Sequence, residues 1–213
     1  MRQVLPCGDR ALLVELGDLE EVMAFDAALR ASSLPWIDDI VPAARTVLVR
    51  FDPRLVGPAE VVRHLRWLDV GGSAAIVDVG GGAATPVEIP VVYDGEDLDE
   101  VADLLGLTPA DLVERHHSGT YRVAFVGFAP GFAYMVGASS SGIDVPRRAT
   151  PRTAVPAGSV ALAGGYCGIY PRDMPGGWQL IGRTTEAVWD ERRDPPALLR
   201  PGDIVRFRVE DRP

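Results

Sequence analysis

The sequence predicts an α+β protein in which a small N-terminal α/β sandwich, resembling a ferredoxin-like unit, precedes a C-terminal β-barrel. Two observations support this prediction. Strand and helix patterns follow one another in β-α-β-β-α order in the first third of the chain, and short strand-like segments separated by Gly and Pro dominate from residue 120 onward. Between them, residues 69–86 are small and Gly-rich, which indicates a linker. We therefore expect two domains, 1–85 and 86–213.

The N-terminal elements are predicted from periodicity and capping residues. Residues 11–16, 37–41 and 46–51 have strand patterns. Asp18 and Glu21 have the spacing of a capping box at the start of a helix. A second helix opens at Gly57-Pro58, with Pro58 in its first turn. The predicted buried positions of the two helices are Leu19, Val22, Met23 and Leu29, and then Val61, Val62, Leu65 and Leu68. We expect His64, on the second helix, at the surface.

The second half begins with a predicted strand over 87–93 and two short helices over about 97–105 and 109–117. Thr108 is suited to cap the second of these helices, with Pro109 at its first position. Four strands are then predicted within the segments YRVAFVGF, SVALAG, WQLIGRT and DIVRFRV. Short strands at this density are typical of a closed barrel.

The composition excludes several kinds of chemistry. All 21 basic residues are Arg, and the chain of 213 residues contains no Lys. A Schiff-base lysine, a phosphate-loop lysine and a lysine that carries biotin or lipoate are therefore absent. The glycines at 80–82 lack the strand–loop–helix context of a phosphate loop, so we interpret them as part of the linker.

Composition also bears on location and ligands. No stretch of about 18 apolar residues predicts a membrane span, and the N-terminus lacks the pattern of a signal peptide. Cys7 and Cys167 stand alone, which suits a reduced, cytoplasmic protein and provides no metal motif. The net charge of −9 argues against nucleic-acid binding.

Charge is distributed unevenly along the chain. Residues 88–114 contain nine acidic residues and no basic one, whereas residues 145–185 contain five Arg and one Asp. A basic segment in an acidic protein suggests an anionic ligand or an acidic partner. The alternative is that these arginines are solvated or paired within the protein, and charge alone favours this alternative.

Gly- and Pro-rich motifs crowd the region 116–183. They include GFAPGF at 127–132, PRRATPR at 146–152, VPAGSVALAGG at 155–165, GIYP at 168–171 and PGGWQLIGRT at 175–184. Such residues fix loop geometry and let backbone N–H groups approach a ligand. Tight barrel corners are the structural alternative.

These motifs, with His116, Tyr121 and LLRPGD near the end, resemble the allophanate hydrolase subunit 1 family over the whole length of the chain. The family includes the B subunit of bacterial 5-oxoprolinase and the sporulation kinase inhibitor KipI. The resemblance implies an N-terminal α/β domain and a cyclophilin-like C-terminal barrel, in agreement with the pattern above.

The resemblance also implies a function. We expect a hydrolase subunit, inactive alone, of an ATP-dependent 5-oxoprolinase that converts 5-oxo-L-proline to L-glutamate. Its partners would be a subunit 2 (KipA-type) protein and a third component, and ATP would be used by the complex. The alternatives are a KipI-type inhibitor of a sensor histidine kinase and a carboxyltransferase-type subunit of a urea carboxylase or allophanate hydrolase system.

Candidate site residues lie in the motifs. Arg guanidinium groups suit the anion formed when a lactam oxygen is activated, Gln suits an amide or carboxylate, and His suits proton transfer near neutral pH. The candidate catalytic residues are Arg148, Gln179 and His116. The candidate substrate-binding or partner-facing residues are Phe128, Pro130, Gly131, Phe132, Tyr134, Arg147, Arg152, Tyr170, Trp178 and Arg183.

Each candidate has a structural alternative. His116 at a helix end is more often a structural residue. Phe128, Phe132 and Trp178 suit the core or an interface better than substrate stacking, and the arginines suit a partner as well as a ligand.

The chain departs from the family pattern at four positions. Val145 stands where the family has Thr, Met135 replaces Leu, and Tyr166-Cys167 replaces a polar pair. The sequence indicates no base paired with Cys167, so we interpret it as a small buried apolar residue.

Overall fold

The computed structural model describes residues 2–70, 85–137 and 143–211 and has a mixed α/β architecture. The chain divides into two compact units, residues 1–78 and 79–213. Most of the predicted linker 69–86, with the glycines at 80–82, lies outside the described residues. The division into domains 1–85 and 86–213 remains a prediction.

The first unit is a four-stranded antiparallel sheet with two helices. Its elements are β1 (Gln3–Pro6), β2 (Ala11–Glu15), α1 (Leu19–Ser32), β3 (Ile37–Pro42), β4 (Thr46–Phe51) and α2 (Pro58–Trp67). The strand order is β1-β2-β4-β3. The predicted β-α-β-β-α series is confirmed, and β1 was not predicted because its four residues show no clear alternation.

Both helices of this unit begin at the predicted residues, but one capping contact and the burial of His64 differ from the prediction. The Asp18 carboxylate accepts a hydrogen bond from the Glu21 backbone at 2.8 Å, but the Glu21 carboxylate accepts from Gly17 N–H at 2.8 Å, one residue before the expected partner. Gly57 is the N-cap of α2 and Pro58 follows it. His64 is half-buried, not at the surface, because its ring packs edge-on against Trp36, with ring centroids 5.6 Å apart.

The core of this unit contains every predicted buried position of the two helices except Met23, which is half-buried outside it, and one further helical residue. Val22, Leu29, Val61 and Leu65 are fully buried, whereas Leu19, Val62 and Leu68 are half-buried against the same core. Phe25 of α1 is also fully buried and was not predicted.

The second unit contains most of the strands. Its elements are β5 (Val87–Val91), α3 (Leu98–Leu105), α4 (Pro109–His117), β6 (Thr120–Val126), β7 (Ala133–Gly137), β8 (Arg152–Val155), β9 (Ser159–Ala163), β10 (Tyr166–Ile169), β11 (Met174–Gly176), β12 (Gln179–Arg183) and β13 (Ile204–Val209). Both helices and the four barrel strands predicted after residue 120 are confirmed. Thr108 caps α4 in a complete capping box with Asp111.

The main sheet of this unit is nearly a closed barrel. Seven strands lie in the order β12-β9-β10-β7-β6-β13-β5, antiparallel except for the parallel β13–β5 pair. Val92, just beyond β5, and Arg183, at the end of β12, exchange two backbone hydrogen bonds of 2.9 Å each. The two edge strands of the sheet are thereby joined. The remaining two strands, β8 and β11, form a separate two-stranded antiparallel sheet.

Two glycines permit this closure. A Cβ on Gly182 would lie 2.6 Å from the carbonyl oxygen of Val92, and a Cβ on Gly95 would overlap the Leu180 carbonyl oxygen. Only glycine fits where two backbones approach this closely.

The barrel interior is apolar except for a short chain of polar groups around His116. The His116 ring is fully buried and lies 4.4 Å from the Phe207 ring, centroid to centroid. The Tyr93 hydroxyl is 2.7 Å from His116 Nδ1, and His116 Nε2 is 3.3 Å from the Cys167 Sγ atom. Burial, together with the nearby charge of His117, lowers the pKa of His116 to about 3, so this imidazole is neutral at physiological pH.

Replacement of Gly95 by Ala should destabilise the second unit. The added methyl overlaps backbone atoms of β12, which cannot rotate away as a side chain can. We expect a loss of about 2–3 kcal/mol in the free energy of unfolding, measured by denaturant titration. Gly127→Ala is the matched control, since its nearest atom is at 3.9 Å. Equal stability of the two variants would contradict the tight approach of Gly95 to β12.

The buried neutral His116 predicts an acid-sensitive fold. Its pKa is about 3 in the folded chain and about 6.5 when unfolded, so the unfolded chain binds the proton more readily. Stability is therefore complete above pH 6.5 and falls as the pH drops toward 3, by about 2 kcal/mol at pH 5. Denaturant titrations at pH 7 and pH 5 measure this difference. In His116→Phe the loss between these pH values should shrink, whereas in His117→Gln it should persist. An unchanged loss in His116→Phe would show that other groups cause it.

Candidate functional site

Four of the predicted site residues meet on the outer face of the barrel sheet. Phe132 is central to an aromatic cluster, which we define as Phe132, Tyr134, Tyr170 and Trp178. Ring centroids lie 5.1 Å apart for Phe132–Tyr134, 5.4 Å for Phe132–Tyr170 and 5.3 Å for Phe132–Trp178. Because residues alternate along a strand, this cluster and the barrel interior lie on opposite faces of the same sheet. The two-stranded β8–β11 sheet packs on the outer face through Val155 and Met174.

Within the cluster, burial separates supporting residues from accessible ones. Phe132, Tyr170 and Trp178 are buried, so they form a floor. Tyr134 is half-buried, and it meets the half-buried Tyr166 with ring centroids 5.7 Å apart. Sequence reasoning treated Tyr166 only as a departure from the family pattern. Its position one residue before the inward-facing Cys167 was the available signal that it faces outward.

Arg147 is the candidate arginine that remains available to a ligand. It is exposed, and among the residues that the structure describes it forms no ion pair. Burial raises the pKa of Tyr134, and the charge of Arg147 opposes this effect. Arg147 likewise opposes the burial-raised pKa of Tyr170. The charge of Arg147 thus lies close enough to act on two tyrosines of the aromatic cluster.

Arg148 and Arg152, in contrast, are held by Asp97. The Asp97 Oδ1 atom accepts a hydrogen bond from Arg152 Nη2 at 2.7 Å and another from Arg148 Nη1. Glu96 also pairs with Arg152, at 3.1 Å. Burial acts to raise the pKa of Asp97, but the hydrogen bonds from Arg152 and the Leu180 backbone, with both arginine charges, outweigh it and hold the pKa below its usual value.

Arg183 is paired as well. Its Nε atom lies 3.1 Å from Asp94 Oδ2, beside the backbone bonds that close the barrel. Three arginines of the basic segment thus pair with carboxylates of the acidic segment 88–114. For these three residues, the hypothesis that the arginines are paired within the protein, which the charge distribution alone favoured, is confirmed.

Gln179 is almost completely buried beside the same network. Its Nε2 atom donates to the Pro146 carbonyl at 3.3 Å, while Oε1 has no partner among the described residues. Arg148 Nε and Arg152 Nη1 are also buried without an acceptor in that part of the chain. Arg148, Arg152 and Gln179 therefore each have a buried polar atom without a hydrogen-bond partner among the described residues.

Phe128, Pro130 and Gly131 line a second feature, an apolar groove of about 420 Å³ that also involves Trp189 and Leu199. Phe128 is 60% exposed and has a φ of 68°, a conformation that is costly for a bulky residue. Its ring meets Phe132 of the aromatic cluster, with centroids 5.4 Å apart. The groove and the cluster are therefore adjacent. Sequence reasoning missed Trp189 and Leu199, which are distant in the chain.

His116 is the candidate that the structure separates from the others. It lies in the barrel interior, where its Nε2 atom is 3.3 Å from the Cys167 Sγ atom, a contact that the sequence did not indicate. Cys167 is almost completely buried, so its interpretation as a small buried residue is confirmed. Burial raises the pKa of the Cys167 thiol, which makes it a poor nucleophile. The geometry favours a structural role for both residues.

The arrangement suits binding of a polar, partly anionic group more than a complete reaction. Arg147 supplies charge and the half-buried tyrosines supply hydroxyl groups. In the described residues no cluster of three or more His, Cys, Asp or Glu side chains could hold a metal, and no helix is long and apolar enough to cross a membrane.

Two relatives named as 5-oxoprolinase subunits match most of the chain. The B subunit of 5-oxoprolinase from Bacillus subtilis (strain 168) is 37% identical, with 96% of this chain and 91% of that protein covered. The B subunit of 5-oxoprolinase from Escherichia coli O157:H7 is 52% identical, with 84% and 81% covered.

Solved structures share the fold. The crystal structure of TTHA0988 matches with a TM-score of 0.74 and 38% identity. The match covers 96% of this chain and 40% of the longer TTHA0988 chain. The Kluyveromyces lactis urea carboxylase has a TM-score of 0.71 at 20% identity, with 99% of this chain and 22% of that one covered, which is a likeness of fold alone. The model of the carboxyltransferase domain, subdomains C and D, matches residues 2–199, and with the 5-oxoprolinase relatives it shows that the chain belongs to this family.

Proposed function

We propose that this chain is the B subunit of an ATP-dependent 5-oxoprolinase, which converts 5-oxo-L-proline to L-glutamate. The observation that carries the proposal is the identity of 37–52% to relatives that are named as B subunits of 5-oxoprolinase. Ring opening adds one water across the lactam C–N bond, so that the oxygen joins the new carboxylate and the nitrogen becomes the amine. Since a lactam is a poor electrophile, ATP hydrolysis drives the step.

The site geometry supports a subunit that works only within a complex. Arg148 and Gln179 remain our proposed catalytic residues, and Arg147 is the proposed anion-binding residue. His116 is buried too deeply to exchange a proton with a ligand on the outer face, so we assign it to the barrel core. The site thus has binding groups but no accessible base among the candidates, and we propose that a subunit 2 (KipA-type) partner and a third component supply the rest. This chain is then inactive alone.

The strand order of each unit supports a proposal about its fold. We propose a ferredoxin-like sandwich for the first unit, in which β1 takes the edge position usually filled by a strand after the second helix. The strand order β1-β2-β4-β3 supports this proposal. We propose a cyclophilin-like barrel for the second unit and a cytoplasmic location for the complex.

A carboxyltransferase role is the second candidate, because the matching family model describes a carboxyltransferase domain. This role needs a biotin that arrives on another protein, since the chain has no Lys. Incubation of the complex with a carboxylated biotin carrier and urea or another amide tests it, and transfer of the carboxyl group would favour this role over ring opening.

The proposed function is tested by reconstitution. The chain is co-purified with the subunit 2 protein and the third component encoded beside it, and glutamate release from 5-oxoproline is measured with and without ATP. We expect release only with ATP and all three proteins. A complete mixture without activity would overturn the proposal. A KipI-type role predicts, instead, inhibition of autophosphorylation of a histidine kinase from the same cell.

Arg147→Ala should lower kcat/KM for 5-oxoproline about 10- to 100-fold, as expected for loss of a hydrogen bond to a charged group. Arg172→Ala is the matched control, because Arg172 is exposed in the same unit and lies outside the cluster. Assembly is followed by size-exclusion chromatography. If Arg147→Ala prevents assembly and leaves kcat/KM of the remaining complex unchanged, Arg147 faces the partner and not the substrate.

A further inference from the structure

Asp97 is a buried carboxylate at the start of α3 that does not serve the helix. It occupies the N-cap position and is 2% exposed, yet its side chain makes no capping hydrogen bond. An Asp at this position normally accepts from a backbone N–H of the first helical turn. Here the carboxylate is directed away from its own helix, toward β12 and the arginines.

The contacts of Asp97 connect three separate segments. Its backbone N–H donates to the Leu180 carbonyl at 2.9 Å, and its Oδ2 atom accepts from the Leu180 N–H at 2.7 Å. Its Oδ1 atom accepts from Arg148 and Arg152, which precede and begin β8. The Asp97 carboxylate therefore connects Arg148 and Arg152 to the start of β12, where Gln179 lies.

Each of the two guanidinium groups retains an unused donor. Arg148 Nε and Arg152 Nη1 are buried without an acceptor in the described part of the chain, while other nitrogens of the same groups are held by Asp97. A planar guanidinium that is fixed at one side presents its other donors in a defined direction. A buried, unpaired donor is costly, so such groups mark places where a further acceptor is expected.

We propose that Asp97 is a positioning residue of this site, which orients Arg148 and Arg152, and through Leu180 the neighbouring Gln179, for the activated amide. The proposal rests on the proposed function. Asp97 touches no substrate and acts through the arginines. Guanidinium groups oriented in advance stabilise the negative charge that develops on an amide oxygen without reorganising during the reaction.

The expected kinetic effect separates positioning from folding. In the reconstituted complex, Asp97→Asn keeps the shape of the side chain and removes its charge. We expect kcat per assembled complex to fall about 10- to 100-fold with KM within about threefold, since orientation matters most in the transition state. The matched control is Glu96→Gln, which removes the exposed partner of Arg152 and should leave kcat within about twofold. A kcat of Asp97→Asn within twofold of the wild type would overturn the proposal.

A double-mutant cycle tests whether Asp97 acts through the arginines. The loss caused by Asp97→Asn should be smaller in an Arg148→Met, Arg152→Met background than in the wild type. Additive losses would overturn the proposal. If Asp97→Asn does not fold, Asp97→Glu serves in its place, because it retains the charge and moves the carboxylate by one methylene, and the same loss of kcat is expected.

One measurement is independent of activity. Phenylglyoxal labelling of the isolated chain, followed by mass spectrometry, reports how firmly each guanidinium is held. We expect Arg148 and Arg152 to react at least about fivefold faster in Asp97→Asn than in the wild type or in Glu96→Gln, as loss of a buried ion pair implies. Equal labelling rates would overturn the proposal. A wild-type complex without oxoprolinase activity, alongside the expected labelling, would instead overturn the function and confine Asp97 to holding the arginines.

Discussion

The second unit depends on the junction at which β5 and β12 meet. Two backbone hydrogen bonds between Val92 and Arg183 join the first and last strands of the seven-stranded sheet. Without them, both strands would have an open edge, which is a common route to aggregation. Gly95 and Gly182 let the backbones come close enough, and Asp97 continues the contact along β12. The hydrogen bonds that close the barrel and those that Asp97 makes with Arg148 and Arg152 are therefore connected through β12.

This junction explains why opposite charges are concentrated in two segments of the chain. The acidic segment begins within β5 and the basic segment surrounds β8 to β12, so the junction brings them together. Asp94, Glu96 and Asp97 then lie opposite Arg183, Arg152 and Arg148. The pairs at the surface contribute little, but the Asp97 carboxylate is buried, and removing either side of that contact leaves a charge without compensation. Charge pairing here is a property of the tertiary fold.

The sequence was informative where structure depends on near neighbours. Thr108 as a cap and the position of Pro58 predicted two helices, and short strand patterns predicted β4 and β13. It was less informative for β8, β10 and β11, which are three or four residues long and take their shape from their partners. The motifs identified most of the residues around the aromatic cluster. Asp97–Arg148 and His116–Cys167 each join residues 51 positions apart, a separation at which no local pattern signals a contact.

The network around Asp97 responds to acid and base unequally, because all of its cations are arginines. A guanidinium keeps its proton up to about pH 12, whereas a lysine ammonium begins to lose its proton near pH 10. The Asp97 carboxylate, whose pKa is held below its usual value, is protonated only in acid. An alkaline medium therefore leaves the contact between Asp97 and Arg152 charged. Low pH, which protonates the Asp97 carboxylate, is the condition that breaks this contact. Because the chain contains no lysine, the contact resists high pH.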